Sequence, residues 1–322
     1  MKKYLQNKIA ESSLSLPIVS VYAVTVWLAA GLMTRQLWLP FAGFVIATYM
    51  MVELTNRNAL LRVRSRMVSC VFLLLTCMQS FTLNSTVGVW AQVCFIGALG
   101  ILLLSYQQKE ASGMVYYAFL LIGLGSLLTV FMLVLPLVLW IVMLTQLQTF
   151  NWRTWLASVF GMLTPYWLLL PWFVYQQDLV TFWSHFESLF ILSFQVDYAL
   201  TTERMVCGTF LTLLLLFGAG HFWQHKSDDS IRIRQIYGMF IGMAVYLLVI
   251  IFLRPDLFDV LIRLVTVCIC PLLAHFAVQK ANKISNVLFF VILVSMVLIT
   301  IYCLIVGSTD ETANRVGWSW NG

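Results

Sequence analysis

Apolar residues in this chain come in long unbroken stretches, without the one-sided three-and-four spacing of a helix that faces water on one side. A helix that crosses a bilayer needs about 17–25 mostly apolar residues. Runs of that kind lie at 14–33, 37–54, 67–83, 87–105, 154–175, 205–222, 237–253, 260–278 and 287–302, and one uninterrupted stretch covers 114–147. Among the charged residues only Glu53 and Arg263 fall inside these runs, each near an end. Charge is confined to the places where hydrocarbon tolerates it.

The stretch 114–147 decides how many times the chain crosses. As one helix it would measure roughly 51 Å. Spanning about 30 Å of hydrocarbon would then demand a tilt near 54°, roughly, beyond the usual range of about 0–40°. Two short passes of about 25 Å each are easier. The sequence predicts the break at Gly123, Leu124, Gly125 and Ser126, where small residues permit a turn, with Pro136 as a second possible kink. The expected fold is therefore all-α, a polytopic membrane helix bundle of about eleven transmembrane helices in a single domain over 1–322, with the N-terminus inside and the C-terminus outside.

The basic residues agree with that count. In this topology Lys2, Lys3, Lys8, Arg57, Arg62, Arg64, Arg66, Lys109, Arg153, Lys226, Arg232, Arg234, Lys280 and Lys283 are inside. Only Arg35, Arg204, Arg254, Arg263 and Arg315 are outside, as the positive-inside rule expects. A single crossing at 114–147 would put the later basic loops outside. The first apolar run has no small-residue cleavage site and leads directly through Thr34, Arg35 and Gln36 into the next, so it reads as an uncleaved helix.

Composition narrows the class further. With 61% hydrophobic and 10% charged residues, and a mean hydropathy of +0.91, the chain is no soluble domain, disordered segment or disulfide-stapled module. All seven cysteines fall within apolar runs and read as packing residues, with Cys268 and Cys270 pointing apart on a helix. Walker, Rossmann, G-x-S-x-G and zinc-type patterns are absent, so no cofactor or metal is expected. The +6 charge is explained by topology and implies no nucleic-acid partner.

Candidate chemistry lies at the loops. Arg57, Arg62, Arg64 and Arg66 crowd one inside turn, where they serve as a topological anchor or as a site for an anionic or polyprenyl-phosphate lipid headgroup, with Arg153 as a further candidate. The outside loop 176–204 carries Leu179, Phe182, Trp183, Phe186, Leu189 and Phe190 at helical spacing, which predicts an amphipathic helix lying at the interface. Asp178, His185, Glu187 and Asp197 in that loop, and Asp256 and Asp259 in a later one, are the outside candidates for proton transfer or binding. His221 and His225 stand one helical turn apart without an acidic companion motif, and the four histidines read as dispersed. Gln79, Gln92, Gln146 and His275 sit within spans, where such groups usually join helices by hydrogen bonds.

The segment Thr149, Phe150, Asn151, Trp152, Arg153, Thr154 and Trp155, followed by Gly161, Met162, Leu163, Thr164, Pro165 and Tyr166, resembles an uncharacterised family of polytopic inner-membrane proteins from the Bacteroidetes, as does the turn 58–66. The resemblance runs along most of the chain and implies a bacterial inner-membrane location. The order of short paired helices, basic turn and Gly-x-x-x-Pro helix is also similar to the membrane half of GT-C glycosyltransferases, which use a polyprenyl-phosphate sugar. Those enzymes carry an acidic motif in a substantial first outside loop, whereas here that loop is only Thr34, Arg35 and Gln36. Three functional readings follow. The first is a non-enzymatic scaffold or accessory component of envelope biogenesis, working with other membrane proteins. The second is a handler or flippase of a lipid or lipid-linked substrate, and the third is a GT-C-like glycosyltransferase.

Overall fold

The computed structural model describes residues 5–61, 65–108, 110–177, 179–190, 201–279 and 282–317. Every regular element among them is helical: α1 (Leu5–Glu11), α2 (Ser15–Ala29), α3 (Trp38–Asn58), α4 (Met67–Met78), α5 (Thr86–Leu104), α6 (Ser112–Leu128), α7 (Leu135–Thr145), α8 (Trp152–Tyr175), α9 (Leu179–Phe190), α10 (Thr202–His225), α11 (Ile231–Leu253), α12 (Phe258–Val278) and α13 (Lys283–Gly317). Seven of these, α3, α5, α8 and α10–α13, are long and apolar enough to cross a membrane. The helix α2 joins α1 through an 86° bend, and α4, α6 and α7 are shorter apolar helices. The outer surface is apolar along much of its length, with Val21, Trp167, Leu168 and Phe252 exposed. In water such a surface would drive association; against lipid chains it costs nothing.

The bundle is built around α12. It packs on α1, α4, α5, α10 and α11, and every residue over 261–277 is buried. That explains why α12 is apolar all round, whereas α8 and α13 face outward along most of their length. Its neighbours each bring it a polar contact. Gln79 Nε2 donates to Thr266 Oγ1 at 2.6 Å, and Gln92 Nε2 to the Arg263 carbonyl at 3.2 Å. The Arg263 guanidinium donates to the carbonyl of Thr82. Gln79 and Gln92 therefore join helices, as their sequence positions predicted.

The long apolar stretch 114–147 is two helices, but the break lies elsewhere than expected. The helix α6 runs straight through Gly123 and Gly125 and ends at Leu128; Thr129 then turns extended (φ −140°, ψ 107°) and a short 3-10 turn, Val130–Val134, leads into α7. Gly123 and Gly125 are small because other groups approach them, not because the chain turns there. A Cβ on Gly123 would stand 2.8 Å from the Met162 carbonyl oxygen, and one on Gly125 would stand 3.3 Å from Cys94 Cβ. On the partner helix α8, a Cβ on Gly161 would fall 2.5 Å from the Tyr116 carbonyl oxygen. The β-branched pair Thr129 and Val130 favours extended backbone and ends the helix. After α7 the chain has returned to its start, since the Gln107 amide donates to the Leu147 carbonyl at 2.9 Å.

Contacts of this kind sort the helix ends into two groups. At the α1 end, Ser65 meets the Ala10 carbonyl, the Tyr237 hydroxyl meets the Leu60 carbonyl, and His275 meets Asp229. At the α9 end, His185 meets the Ser126 carbonyl and Arg204 meets Asp259. The helix α13 continues to Gly317, well past the apolar run that defined it in sequence.

The close approach of α6 and α8 yields a prediction. Gly161→Ala should destabilise the protein by about 1–3 kcal/mol through overpacking against backbone. Gly100→Ala, with nothing within 4 Å of the new methyl, should be neutral or stabilising by up to about 1 kcal/mol. Thermal unfolding of the two variants in the same detergent checks the contrast.

Candidate functional site

The elbow between α1 and α2 creates the most site-like feature of the molecule. The helix α1 is held flat across the end of the bundle by Gln6, which is fully buried. Its Nε2 donates to the carbonyls of Phe276 and Ala277 at 3.0 and 3.2 Å, its Oε1 accepts from Ser285 Oγ at 2.8 Å, and its amide donates to Asn286 Oδ1 at 3.0 Å. The orphan carbonyls at the end of α12 are thereby satisfied by a side chain from the other end of the sequence. At the far end of α1 the Ser65 hydroxyl donates to the Ala10 carbonyl and accepts from the Met67 amide at 3.3 Å.

Below this strap lies a cavity of about 260 Å³. Its walls are Ile9 on α1, Ile18 and Val19 on α2, Met67, Cys70, Val71 and Leu74 on α4, Leu273, Phe276 and Ala277 on α12, and Phe289, Ile292, Leu293 and Met296 on α13, with Ser15 as the sole hydroxyl among them. The helices α2 and α13 both pack on α4, and the cavity lies among the three, with Ile18 of its wall exposed on the surface of α2. A second pocket, about 330 Å³, is lined by Ala10, Glu11, Ser12, Ser13, Asn56, Ser65 and Arg66. The two share walls within one or two residues of each other along the chain: Ile9 and Ala10, Ser13 and Ser15, Arg66 and Met67. An apolar slot and a polar, charge-bearing pocket therefore lie on either side of the same strap.

The sequence candidates divide sharply against this site. Arg66 lines the polar pocket, and among the described residues its side chain makes no hydrogen bond or ion pair. Arg57 is bound to Glu53 one turn earlier on α3. Arg153 is exposed in the first turn of α8 and lines neither pocket, and Arg62 and Arg64 lie outside the described residues. Glu11, Ser12, Ser13 and Gln6 carried no sequence signal, because their role depends on an 86° bend that brings them to Arg66 and α12.

Among the described residues the outside candidates form no common site. Asp256 and Asp259 each take an arginine in a two-pronged pair: Arg254 donates to Asp256 at 3.0 and 2.8 Å, and Arg204 to Asp259 at 2.8 Å twice. The hydrogen bond to Asp256 holds the Arg254 guanidinium above its ordinary pKa. His185 sits against the Ser126 carbonyl at 3.1 Å, and Glu187 is exposed on α9. Asp178 and Asp197 lie outside the described residues. The helix α9 itself forms where the apolar spacing predicted it, with Phe182 and Phe186 ringed around Tyr166 at centroid distances of 6.5 and 5.0 Å.

The histidines are less dispersed than their sequence positions suggest. His221, His225 and His275 gather at the α1 end, with the first two rings stacked at 4.5 Å and the third 6.2 Å from His221. His275 Nε2 lies 2.9 Å from Asp229 Oδ2, both side chains buried, with the Tyr237 ring 5.0 Å away. His221 stacks on His225 and meets His275 and Phe276 edge-on, and among the described residues no three such groups could hold a metal ion. The cluster instead ties the turn after α10 to the end of α12, beside the cavity wall. Asp229→Ala should therefore cost about 1–3 kcal/mol of stability, the loss expected when a buried partner is removed. Asp229→Asn, which keeps an acceptor for an imidazole N–H, should cost less; thermal unfolding in detergent measures both. No protein-family model, curated protein or solved structure matches the chain.

Proposed function

We propose that this protein is a non-enzymatic inner-membrane protein that holds a phosphate-bearing lipid, and that its role in the envelope is exercised through that lipid. The observation that carries the reading is the apolar cavity walled by α2, α4, α12 and α13, with Ile18 of its wall exposed on the outer surface, and bordered by the pocket that Arg66 lines. An apolar cavity at the outer surface suits a chain arriving from the bilayer, and an unpaired arginine suits a phosphate. A scaffold role in envelope biogenesis, resting on contacts with other membrane proteins, gives no account of the paired pockets. The glycosyltransferase reading would need free carboxylates converging on a cavity, whereas Asp256 and Asp259 are both held by arginines.

The depth of the cavity favours holding over flipping. Its lining extends from Met67 to Leu74 on α4 and from Phe289 to Met296 on α13, about two turns or ~11 Å. That is roughly a third of the hydrocarbon thickness of about 30 Å. A slot of this depth takes the part of a chain nearest the headgroup and offers no passage to the other leaflet.

The same reading includes eleven passes with the N-terminus inside. It is supported by the basic residues gathered at the α1 end and by the alternation of successive helices between the two ends. Lipid extraction and mass spectrometry of the protein purified in mild detergent should recover a reproducible phospholipid. Leu293→Trp, which fills the cavity, should lower the recovered lipid severalfold without loss of thermal stability; unchanged lipid in that variant would sink the site. A reporter fused after Gly322 should be active outside the cytoplasm, and one inserted after Ser227 inside it.

A further inference from the structure

The polar pocket contains both a base and an acid. Arg66 is exposed and its side chain unpaired among the described residues, and Glu11, at the end of α1, lines the same pocket. The same lining holds the hydroxyls of Ser12 and Ser13 and the amide of Asn56, while Ser65 is already committed to the Ala10 carbonyl and the Met67 amide. We propose that the headgroup taken here is zwitterionic and carries a primary amine, as in a phosphoethanolamine lipid, with its phosphate on Arg66 and its ammonium on Glu11. This deepens the lipid-holding reading and rests on it.

Three alternatives fit the lining less well. A purely anionic headgroup would satisfy Arg66 but would bring its phosphate to the same small pocket as a carboxylate, and like charges repel at that range. A choline headgroup has a quaternary ammonium with no N–H to donate, and such groups are held by aromatic faces, of which the described residues lining this pocket have none. A bare phosphate has no donor to offer a carboxylate. A primary ammonium has three donors, matching a carboxylate and neighbouring hydroxyls. Glu11 is already engaged within the protein, yet a carboxylate offers about four lone-pair sites and so retains capacity for a further donor. Its neighbour in the same region, Glu53, is taken by Arg57, so no second carboxylate there competes for the ammonium.

Native mass spectrometry of the full-length protein, equilibrated with equal amounts of phosphatidylethanolamine, phosphatidylglycerol and phosphatidylcholine, tests the assignment. Phosphatidylethanolamine should be retained about threefold over each of the others, the discrimination expected of one exposed charge pair. Glu11→Gln should abolish the preference over phosphatidylglycerol, and Arg66→Gln should weaken all three. Equal retention, or preference for phosphatidylglycerol or phosphatidylcholine, would overturn the headgroup assignment and leave lipid holding intact. Retention of no lipid would overturn both. Soluble glycerophosphoethanolamine, which has the headgroup but no chain, should fail to compete; displacement at equal concentration would mean that the chain slot contributes nothing and the ligand is not a lipid.

Discussion

A polar group left without a partner in hydrocarbon costs several kcal/mol, roughly, and the whole bundle is arranged around meeting that constraint on one helix. The helix α12 is sealed from lipid on every side. It nonetheless carries an arginine, a threonine, a histidine and a set of terminal carbonyls, each met by a hydrogen bond with a neighbouring element. The region of α4 answers at Thr266 and, through the Thr82 carbonyl, at Arg263; α5 answers at the Arg263 carbonyl, the turn after α10 at His275, and α1 at the last carbonyls. Each such bond is worth only about 0.6 kcal/mol on average. Their weight lies in specificity, because a helix rotated or slid by one position would strand the partner. The bonds fix which face of each helix meets α12, and apolar packing fills the space between.

The functional site is a by-product of the same constraint. The carbonyls of Phe276 and Ala277 need donors, and Gln6 supplies them only if α1 lies across the end of the bundle. To continue into the membrane the chain must then turn by 86°, and the serines at the elbow satisfy the exposed backbone. The turn leaves the apolar cavity among α2, α4 and α13, and places Glu11 in the lining of the pocket that Arg66 shares. Removing one buried glutamine would loosen the strap, both pockets and the end of α12 together.

What was legible in the sequence follows from what is local. Whether a run is apolar enough to form a helix in lipid depends on about twenty neighbouring residues, so each apolar run became a helix, and the spacing of Phe182, Trp183 and Phe186 sufficed to locate α9. Gln79 and Gln92 were legible as inter-helix donors because a span offers an amide few other roles. The break near Thr129 was misplaced because glycine serves two purposes: it permits turns, and it permits close packing, and only the position of α8 shows which applies at Gly123. The gathering of His221, His225 and His275, and the meeting of Glu11 and Arg66 in the lining of one pocket, join residues far apart in the chain. No local pattern encodes them.

The two halves of the proposed lipid site would contribute in different ways to holding a lipid there. A lipid chain leaving the bilayer for the cavity exchanges one apolar surrounding for another, so no hydrophobic gain accompanies the transfer. What the cavity offers is van der Waals contact with fixed walls, opposed by the entropy the chain loses on being held. These terms nearly cancel and hardly differ between lipids with similar chains. The polar pocket is different, because headgroups differ in charge and in donors, and because it lies at the edge of the hydrocarbon where water screens less than in bulk. Discrimination among lipids must therefore reside in Glu11, Ser12, Ser13, Asn56 and Arg66, while the apolar slot sets only how deeply and in what orientation the lipid is seated.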